Sequence, residues 1–283
     1  LAMLATTGSQ QRLFNIFIVI VLIAGVIIAL APMLIMMSTA FKGQAYVQEI
    51  PPRLLPENPT LENFEIAFTS RNFGRAFLNS TFVAVSTSVL VTVLASMMAY
   101  AFARFEFAGK NAIFAVLLLM IMVPGVVLLI PQFILAKNLR LLNSLPGLIL
   151  VYSAGPLAFN TFLLRGFFQS LPRELEESAI IDGANSFTVF YRVMLPLAAP
   201  AVSTIAVFSF LGAWDEYILA LNFLTDEKLR TLPIAIANFR GQHSTNWGLV
   251  FAGSLTAVIP TIVLFVFFQR YVIQGLTSGA VRG

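Results

Sequence analysis

Six long stretches of the chain contain no charged residue, and charged residues return in short clusters between them. The stretches lie at 13–41, 76–103, 111–136, 141–164, 193–214 and 241–269. Each has roughly 22 to 29 residues, and about 20 apolar residues carry a helix across a hydrocarbon core of about 30 Å. Mostly apolar residues also continue past the fifth stretch to position 225. The pattern predicts an all-α integral membrane protein with six transmembrane helices, at 13–41, 76–103, 111–136, 141–164, 197–224 and 245–269.

The continuous apolar character of these stretches favours helices over a transmembrane barrel, whose strands alternate between lipid-facing and inward-facing residues. The first stretch is longer than the apolar segment of about 7–15 residues in a secretory signal peptide, so we expect it to be retained as a membrane span. Because the sequence begins at Leu1 and not at Met, we also expect residues upstream of it.

Prolines interrupt several of the predicted spans, among them Pro32, Pro156 and Pro260. Prolines are more common in membrane helices than in soluble ones, so a single proline carries little information. Pro124 and Pro131 differ because they lie seven residues apart, on one face of a helix. This pair predicts a bend beside a cavity or a moving contact between helices.

The overall composition agrees with a membrane protein and excludes several other classes. Of the 283 residues, 58% are hydrophobic and 11% are charged, whereas a soluble domain has about 25% charged residues. A disordered chain combines low hydrophobicity with high net charge, which 27 Phe and a net charge of +4 contradict. The 17 Lys and Arg residues are scattered singly, so we expect no nucleic-acid partner. With no cysteine and a single histidine, His243, expected in solvent, we expect no metal site.

Three connections between the predicted spans are long enough to have structure of their own. The connections 42–75 and 226–243 contain both polar and apolar residues. The third connection, 172–196, is more informative. Pro172 and the acidic residues after it suit the start of a helix, and Gly183 can end that helix by adopting a positive φ. A second helix can then begin at 185 or 186. The pattern predicts two short helices at the membrane surface, for which an ordinary interfacial helix is the alternative interpretation.

The segment 172–196 resembles the cytoplasmic EAA loop of permease subunits of bacterial ATP-binding-cassette importers. The family pattern is Glu-Ala-Ala, then two residues, then Asp-Gly-Ala, with Leu-Pro further along. The matching residues here are Glu177, Ser178, Ala179, Asp182, Gly183, Ala184, Leu195 and Pro196, and Ser178 stands where the family usually has the first Ala. Four further stretches resemble, in order, the carbohydrate-importer branch typified by the smaller maltose-importer permease: 99–110, 142–150, 214–217 and 269–283.

The resemblance implies an orientation that the charges do not define, because Lys and Arg divide almost evenly between the two sides. It implies a bacterial cytoplasmic (inner) membrane, both termini in the cytoplasm, and 42–75 and 226–243 as outer loops. It also implies that the 172–196 loop carries a cytoplasmic coupling helix, between the fourth and fifth spans, that docks on an ATPase subunit. The implied docking residues are Glu177, which would meet a basic residue, and Ser178, Ala179, Asp182, Gly183 and Ala184.

The partners implied by the resemblance are a second, non-identical permease, an ATP-binding-cassette ATPase dimer and an external solute-binding protein, in addition to the lipid bilayer. We expect ATP and Mg on the ATPase and no cofactor on this chain. A phosphate-binding loop needs Gly-x4-Gly-Lys-Ser/Thr, whereas Gly109-Lys110-Asn111 lacks the upstream glycine and the hydroxyl residue. We also expect no catalytic residue and a single permease domain over 1–283.

Polar residues near the fifth predicted span are candidates for the substrate pathway, because a charge within a span costs at least about 2.5–3.5 kcal/mol. Asp215 and Asn222 are seven residues apart and would share one face of a continuous helix. Carboxylate, amide and aromatic groups together suit sugars, which need both hydrogen bonds and stacking. The alternative is an interfacial helix end with belt aromatics. The candidates are Asp215, Glu216, Tyr217, Asn222, Trp214 and, in the fourth span, Asn160.

Together these features predict the transmembrane subunit of an ATP-driven importer of di- or oligosaccharides, in which closure of the ATPase drives alternating access through the 172–196 loop. A permease for glycerol phosphate or another polyol is an alternative within the same family. An ion-coupled secondary transporter would have internal repeats, which we do not find. A membrane-embedded enzyme would need a nucleophile–base or metal constellation, which the sequence lacks.

Overall fold

The computed structural model describes residues 8–44, 47, 55–70, 72–241 and 245–278, so His243 lies outside the described residues. Within these ranges the regular structure is helical, and β-type pairing is limited to one isolated bridge between Arg240 and Thr245. The prediction of an all-α chain is therefore confirmed for the described residues. The α-helices are α1 (Gly8–Ala40), α2 (Glu62–Thr69), α3 (Phe73–Arg104), α4 (Lys110–Met122), α5 (Leu129–Asn138), α6 (Leu145–Ser170), α7 (Glu174–Ile181), α8 (Ser186–Val189), α9 (Leu195–Leu197), α10 (Ala199–Trp214), α11 (Ile218–Phe223), α12 (Leu232–Ala237) and α13 (Trp247–Ser278).

Several helices have the length and apolar character that a membrane span needs. Four do so alone, within the described residues: Phe14–Ala40, Phe73–Arg104, Leu145–Ser170 and Trp247–Arg270. Two further candidates are bent pairs, Lys110–Met122 with Gly125–Asn138 and Ser186–Leu197 with Ala199–Trp214. The chain thus has several candidate spans, and the number of spans depends on whether each bent pair crosses the membrane as one element.

Contacts between residues divide the chain into two units. The smaller unit comprises Leu1–Ser70 and Phe239–Thr256, and the larger unit comprises Arg71–Asn238 and Ala257–Gly283.

In the smaller unit, α1 is mostly apolar on every face from Phe14 onward, and none of the residues in its most apolar window is buried. A helix that is hydrophobic on every face belongs in lipid or against another apolar surface. Its C-terminal end is held by Asn63, whose Nδ2 donates to the carbonyl oxygens of Ala40 and Lys42 at 2.8 and 2.6 Å. The last carbonyls of a helix have no partner within the helix, so this amide satisfies groups that would otherwise be orphaned.

The centre of the larger unit is the contact between α3 and α6. Ala84, Ala95 and Ala99 of α3 are fully buried, and small side chains of this kind let helix backbones approach closely. Arg165 near the end of α6 donates from Nε to the carbonyl oxygen of Phe102 near the end of α3, at 3.3 Å. Because both residues lie near the C-terminal ends of their helices, α3 and α6 end on the same side of the unit.

The third predicted span is bent, as the prolines indicated. Helices α4 and α5 are related by an angle of 99°, and a 3-10 turn at Gly125–Leu128 lies between them. Val123 is extended, with φ −84° and ψ 118°, because the ring of Pro124 clashes with a helical conformation of the preceding residue. The predicted bend at Pro124 is confirmed.

The prediction of one continuous helix over 197–224 is wrong. Helix α10 ends at Trp214, and the shorter α11 begins at Ile218. The carboxylate of Glu216 accepts hydrogen bonds from the backbone N–H groups of Leu219 and Ala220, at 2.7 and 3.0 Å. A side chain that caps the start of a new helix competes with continuation of the old one, which explains the break.

Candidate functional site

The 172–196 segment, called the α7–α8 loop below, has the helix, glycine turn and second helix that its sequence predicts. Acidic residues occupy the first turn of α7. Gly183 has φ +87°, a conformation that side chains with a Cβ rarely adopt, and it ends α7. Asn185 caps α8, because its Oδ1 accepts a hydrogen bond from the N–H of Thr188 at 2.8 Å. A π-helical turn at Phe190–Met194 then leads toward α10.

One face of this loop is open to its surroundings. Glu177 and Asp182 are exposed, and neither carboxylate has a partner among the described residues. Large apolar side chains lie beside them, with Ile181 85% exposed and Phe187 68% exposed. Exposed apolar side chains grouped with unpaired charges are typical of a protein-binding surface. We call this the exposed loop surface and define it as Glu177, Ile180, Ile181, Asp182 and Phe187.

The six docking residues expected from the resemblance divide between two faces. Glu177, Ser178, Asp182 and Gly183 are exposed. Ala179 and Ala184 are half-buried and pack against the apolar cluster that includes Val189, Met194 and Phe168. Ala179 and Ala184 therefore hold the loop against its own unit. The four exposed residues remain open to a partner.

The glutamate next to Glu177 faces the interior of the unit. The Glu176 carboxylate forms an ion pair with the guanidinium of Arg104, with side-chain exposures of 13% and 7%. It also accepts a hydrogen bond from the hydroxyl of Tyr100 at 3.2 Å. Arg104 donates in addition from Nη2 to the carbonyl oxygen of Leu171 at 2.8 Å. Polar groups from α3, α6 and α7 thus meet in one nearly buried cluster.

Aromatic rings surround this cluster on its apolar side. The Tyr100 ring lies 5.6 Å from Phe105, 5.7 Å from Phe168 and 5.1 Å from Phe190, measured between centroids. The contacts with Phe105 and Phe168 are edge-to-face, a favoured arrangement for aromatic pairs. The rings fix the direction in which the Tyr100 hydroxyl points.

At the other end of α6, the turn between α10 and α11 holds three of the predicted substrate residues. Trp214 is 2% exposed, and its Nε1 donates to the carbonyl oxygen of Ala257 at 3.0 Å. Its ring is stacked on Phe210 and meets Phe77 edge-on. The indole therefore packs in the interior of the unit and does not line an open surface.

Glu216 is the most fully bonded of the predicted substrate residues. Besides the two N–H groups of α11, its carboxylate accepts a hydrogen bond from the hydroxyl of Tyr152 on α6. A carboxylate at the start of a helix is stabilised by the partial positive charge there. These bonds lock the α10–α11 turn onto α6.

Asp215, Tyr217 and Asn222 are exposed around the same turn. The Asp215 carboxylate has no partner among the described residues, and the Tyr217 side chain is 38% exposed. Asn222 donates to the carbonyl oxygen of Ile218 at 2.6 Å. Because the helix breaks between them, the prediction that Asp215 and Asn222 share one face of a continuous helix is wrong. Asn160 is buried and donates to Ser209 Oγ at 3.0 Å, which joins α6 to α10.

A cavity of about 440 Å³ lies beside the bend at Pro124. Its wall includes the 3-10 turn after Pro124, so the prediction of a bend beside a cavity is confirmed. Most of the wall is apolar, and a few polar groups converge on it, as in many small-molecule sites. The polar and aromatic lining residues are Gln132, Tyr152, Phe208, Ser209 and Glu216. The amide of Gln132 has no hydrogen-bond partner among the described residues.

Sequence reasoning missed Gln132, Tyr152, Phe208 and Ser209 as cavity residues, and it quoted Tyr100 and Arg104 only as parts of a resembling stretch. Polar residues inside apolar runs were the available signal for Gln132 and Tyr152. That signal does not indicate which polar residues converge, because convergence depends on the packing of α5, α6 and α10.

Comparison with known proteins assigns the chain to a class. Residues 91–278 match the family described as "Binding-protein-dependent transport system inner membrane component". The chain belongs to this family of inner-membrane permeases of ATP-binding-cassette transporters.

Curated relatives cover almost the whole chain. The diacetylchitobiose uptake system permease protein NgcG of Streptomyces coelicolor is 36% identical over 97% of this chain and 91% of its own length. The trehalose transport system permease protein SugB of Mycobacterium tuberculosis is 38% identical over 90% of this chain and 93% of its own length.

A solved structure has the same fold. It is a chain of a bacterial ABC transporter involved in the import of the acidic polysaccharide alginate, with a TM-score of 0.84 and 23% identity, covering 94% of this chain and 98% of that chain. At this level of identity the likeness concerns the fold.

Proposed function

We propose that this chain is one permease subunit of an ATP-driven importer of di- or oligosaccharides. The observation that carries the proposal is the exposed loop surface, where Glu177 lies unpaired on the family's EAA loop among exposed apolar side chains. The similarity to permeases named for diacetylchitobiose and trehalose, over 90% or more of the chain, supports a sugar as the substrate.

The α7–α8 loop acts in this proposal as the coupling helix that docks on an ATPase subunit. An ATPase cleft would cover Ile181 and Phe187 and would provide a basic residue for Glu177. An ion pair of this kind gains strength when the partner excludes water from it. Closure of the ATPase dimer then moves the loop and switches the access of the permease cavity.

The proposed orientation places both termini and the α7–α8 loop in the cytoplasm. Because α3 and α6 end on the same side, Arg104 and Leu171 then also lie at the cytoplasmic end. The six spans of this arrangement are α1, α3, the bent pair α4–α5, α6, α10 with α11, and α13.

The remaining partners follow from what the chain does not supply. Gly109-Lys110-Asn111 lacks the residues of a phosphate-binding loop, so ATP and Mg would be held by the ATPase dimer. A second, non-identical permease would complete the translocation path, and a solute-binding protein would deliver the sugar from outside. Lipid would cover α1, which is mostly apolar on every face from Phe14 onward.

The cavity beside the Pro124 bend is the proposed contact with the substrate. Phe208 offers a ring for stacking on the apolar face of a sugar, and Gln132 offers an amide that has no partner within the described residues. Among the described residues, the lining includes the Glu216 carboxylate and no Lys or Arg. This favours a neutral sugar over a phosphorylated polyol. Asp215, Tyr217 and Asn222 lie exposed on the adjoining turn and are assigned to the same path.

Transport in reconstituted vesicles tests the proposal. The chain is co-purified with its second permease and ATPase, and sugar uptake is measured in the presence of the binding protein with and without ATP. We expect uptake only with ATP and no effect of a proton-gradient uncoupler. Uptake that persists without ATP and collapses with the uncoupler would show a secondary transporter instead.

Two substitutions test the parts separately. Glu177→Lys should leave the membrane fold intact and release the ATPase during co-purification, because a basic residue would then face a basic residue. Asp215→Ala should weaken uptake with assembly unchanged. If the Glu177→Lys variant co-purifies normally with the ATPase, Glu177 has no role in docking. If the Asp215→Ala variant shows normal sugar uptake, the turn between α10 and α11 is an interfacial helix end and not part of the substrate path.

A further inference from the structure

We propose that Tyr100, Arg104 and Glu176 form a latch that fixes α7 to the C-terminal end of α3, so that movement of the α7–α8 loop is passed directly to a membrane span. The proposal rests on the proposed function, because it concerns how the loop transmits movement. It assigns Glu176, and not only Glu177, to the coupling of ATP hydrolysis to transport.

Helix α7 has few other contacts that hold it in place. No residue of α7 is fully buried, and the helix has only 8 residues. Helices shorter than about 12–15 residues are marginal on their own in water, so tertiary contacts must hold α7. Ala179 contributes one half-buried small side chain. Glu176, with a side-chain exposure of 13%, attaches α7 to α3 through its ion pair with Arg104.

The second half of the loop is attached by a different kind of contact. Val189 and Met194 are buried in the apolar cluster with Leu164, Phe168 and Ile205. That cluster holds the α8 end of the loop by apolar packing. The α7 end, which carries Glu177, contributes the half-buried Ala179 to this packing and is held in addition by the ion pair between Glu176 and Arg104.

Arg104 lies where the ends of three helices meet. It is the last residue of α3, where a positive charge is favoured by the partial negative charge of the helix C-terminus. Its Nη2 satisfies the carbonyl of Leu171, the residue that follows α6, and its Nε faces Glu176. One guanidinium thus joins the ends of α3 and α6 to α7, and its planar shape fixes the direction of each contact.

An ion pair between α3 and α7 differs from apolar packing in what it contributes. A buried ion pair often adds little net stability, because desolvation offsets the attraction, and apolar replacements are frequently as stable. An ion pair does define direction and register more sharply than apolar packing. The Tyr100 ring is held by three aromatic rings, and its hydroxyl donates to the Glu176 carboxylate. This second contact further restricts the orientation of that carboxylate. This is the property needed by a contact that transmits movement.

The test compares two glutamates of the same helix in the reconstituted complex. Glu176→Gln removes the charge that faces Arg104, and Glu174→Gln removes an exposed charge one half-turn away that has no side-chain partner among the described residues. We expect Glu176→Gln to co-purify with the ATPase and to lower sugar transported per ATP hydrolysed about tenfold, within the range of coupling between sites. We expect Glu174→Gln to match the unaltered chain. Equal ratios for the two variants would overturn the proposal.

A double variant separates transmission of movement from mere stability. Arg104→Gln with Glu176→Gln leaves no uncompensated charge, so it should fold and assemble but stay uncoupled. If the double variant transports as many sugars per ATP as the unaltered chain, the pair contributes only stability and the latch is wrong.

A distance measurement reports on the latch without relying on transport. Because the chain has no cysteine, spin labels can be placed uniquely at Glu106→Cys, just after α3, and Arg173→Cys, just before α7. We expect one narrow distance distribution that is the same with and without ATP, and a broad one when Glu176→Gln is added. A distance that changes with ATP in the unaltered chain would contradict a rigid link. A complex without ATP-dependent uptake would instead refute the proposed function itself.

Discussion

Two glutamates of the larger unit, Glu176 and Glu216, each accept a hydrogen bond from a tyrosine of a long helix, yet their charges are balanced in different ways. Glu176 faces the guanidinium of Arg104, the last residue of α3. Glu216 faces two backbone N–H groups of α11, a few residues further along its own chain. The first balance depends on a side chain brought from far away in sequence, and the second is built locally.

This difference sets what each glutamate can do. The Glu216 bonds shape a turn and fix it to α6 through Tyr152, so they define one wall of the cavity. The Glu176 bonds join α7 to α3, and the bond from Arg104 to the carbonyl oxygen of Leu171 adds the end of α6. A local cap stabilises the shape of one element, whereas a side-chain pair between elements makes them move together. Substitutions at the two glutamates and at their partners distinguish these two roles.

Arg104→Leu should give the largest loss of stability. It leaves the carboxylate of Glu176 nearly buried without a counter-charge, which typically costs about 3–5 kcal/mol. The midpoint of thermal unfolding in detergent measures the loss. The double variant Arg104→Leu with Glu176→Leu should recover most of it, because an apolar pair replaces the ion pair. A single variant as stable as the double would contradict the assignment of a buried ion pair.

Glu216→Ala should cost less, about 2–3 kcal/mol, because α11 loses its cap and the Tyr152 hydroxyl loses its acceptor. No opposite charge is left behind, which is the difference from Arg104→Leu. The same unfolding measurement applies, and Asn222→Ala is the control, since its side chain is exposed on α11. A loss as large as that of Arg104→Leu would show that Glu216 does more than cap α11 and accept one hydrogen bond from Tyr152.

Tyr152→Phe should cost about 1 kcal/mol, the typical net value of one hydrogen bond, because Glu216 keeps its two backbone donors. Tyr100→Phe should cost a similar amount, because Glu176 keeps Arg104. Tyr100→Phe should also lower sugar transported per ATP, whereas Glu174→Gln, which removes an exposed carboxylate without a side-chain partner among the described residues, should leave that ratio unchanged. An equal ratio for Tyr100→Phe and Glu174→Gln would show that the Tyr100 hydroxyl has no part in coupling.

Glu106→Gln should have the smallest effect. Glu106 is exposed in the connection after α3, and its hydrogen bond and ion pair with Lys110, at 2.9 Å, hold the pKa of its carboxyl below the ordinary value. A lowered pKa in the folded state stabilises the fold above the unfolded-state pKa of about 4.3, and that contribution disappears as the pH falls through the folded-state value. Surface pairs of this type are weak. We expect no change in the unfolding midpoint at pH 7, and a resolvable change would indicate a structural role for this connection.

Several features of the fold could be predicted from the sequence because they depend on neighbours in the chain. The bend at Pro124 follows from the restriction that proline imposes on the residue before it. The end of α7 at Gly183 follows from the positive φ that glycine tolerates. The resemblance of the 172–196 loop to a known permease loop also depends only on the order of residues.

The candidate site could be predicted only in part. Sequence reasoning identified Asp215 and Glu216 as a pair of polar residues at a span end, but it extended the helix through them. The break depends on the capping of α11 and on Tyr152, which is 64 residues away in sequence from Glu216. The cavity residues of α5, α6 and α10 were missed for the same reason, since they converge only after the helices pack.

By itself, the sequence determined that this chain is a helical membrane protein, where its apolar segments lie and which loop resembles a docking element. These properties follow from hydrophobicity, helix length and backbone restrictions, which act locally. Only the tertiary structure decided between neighbouring residues such as Glu176 and Glu177. Adjacent positions on a helix point about 100° apart, and which one is buried depends on Tyr100, which lies 76 residues from Glu176 in sequence. Charge pairing between distant elements is a property of packing, and for this reason the sequence pattern alone did not reveal it.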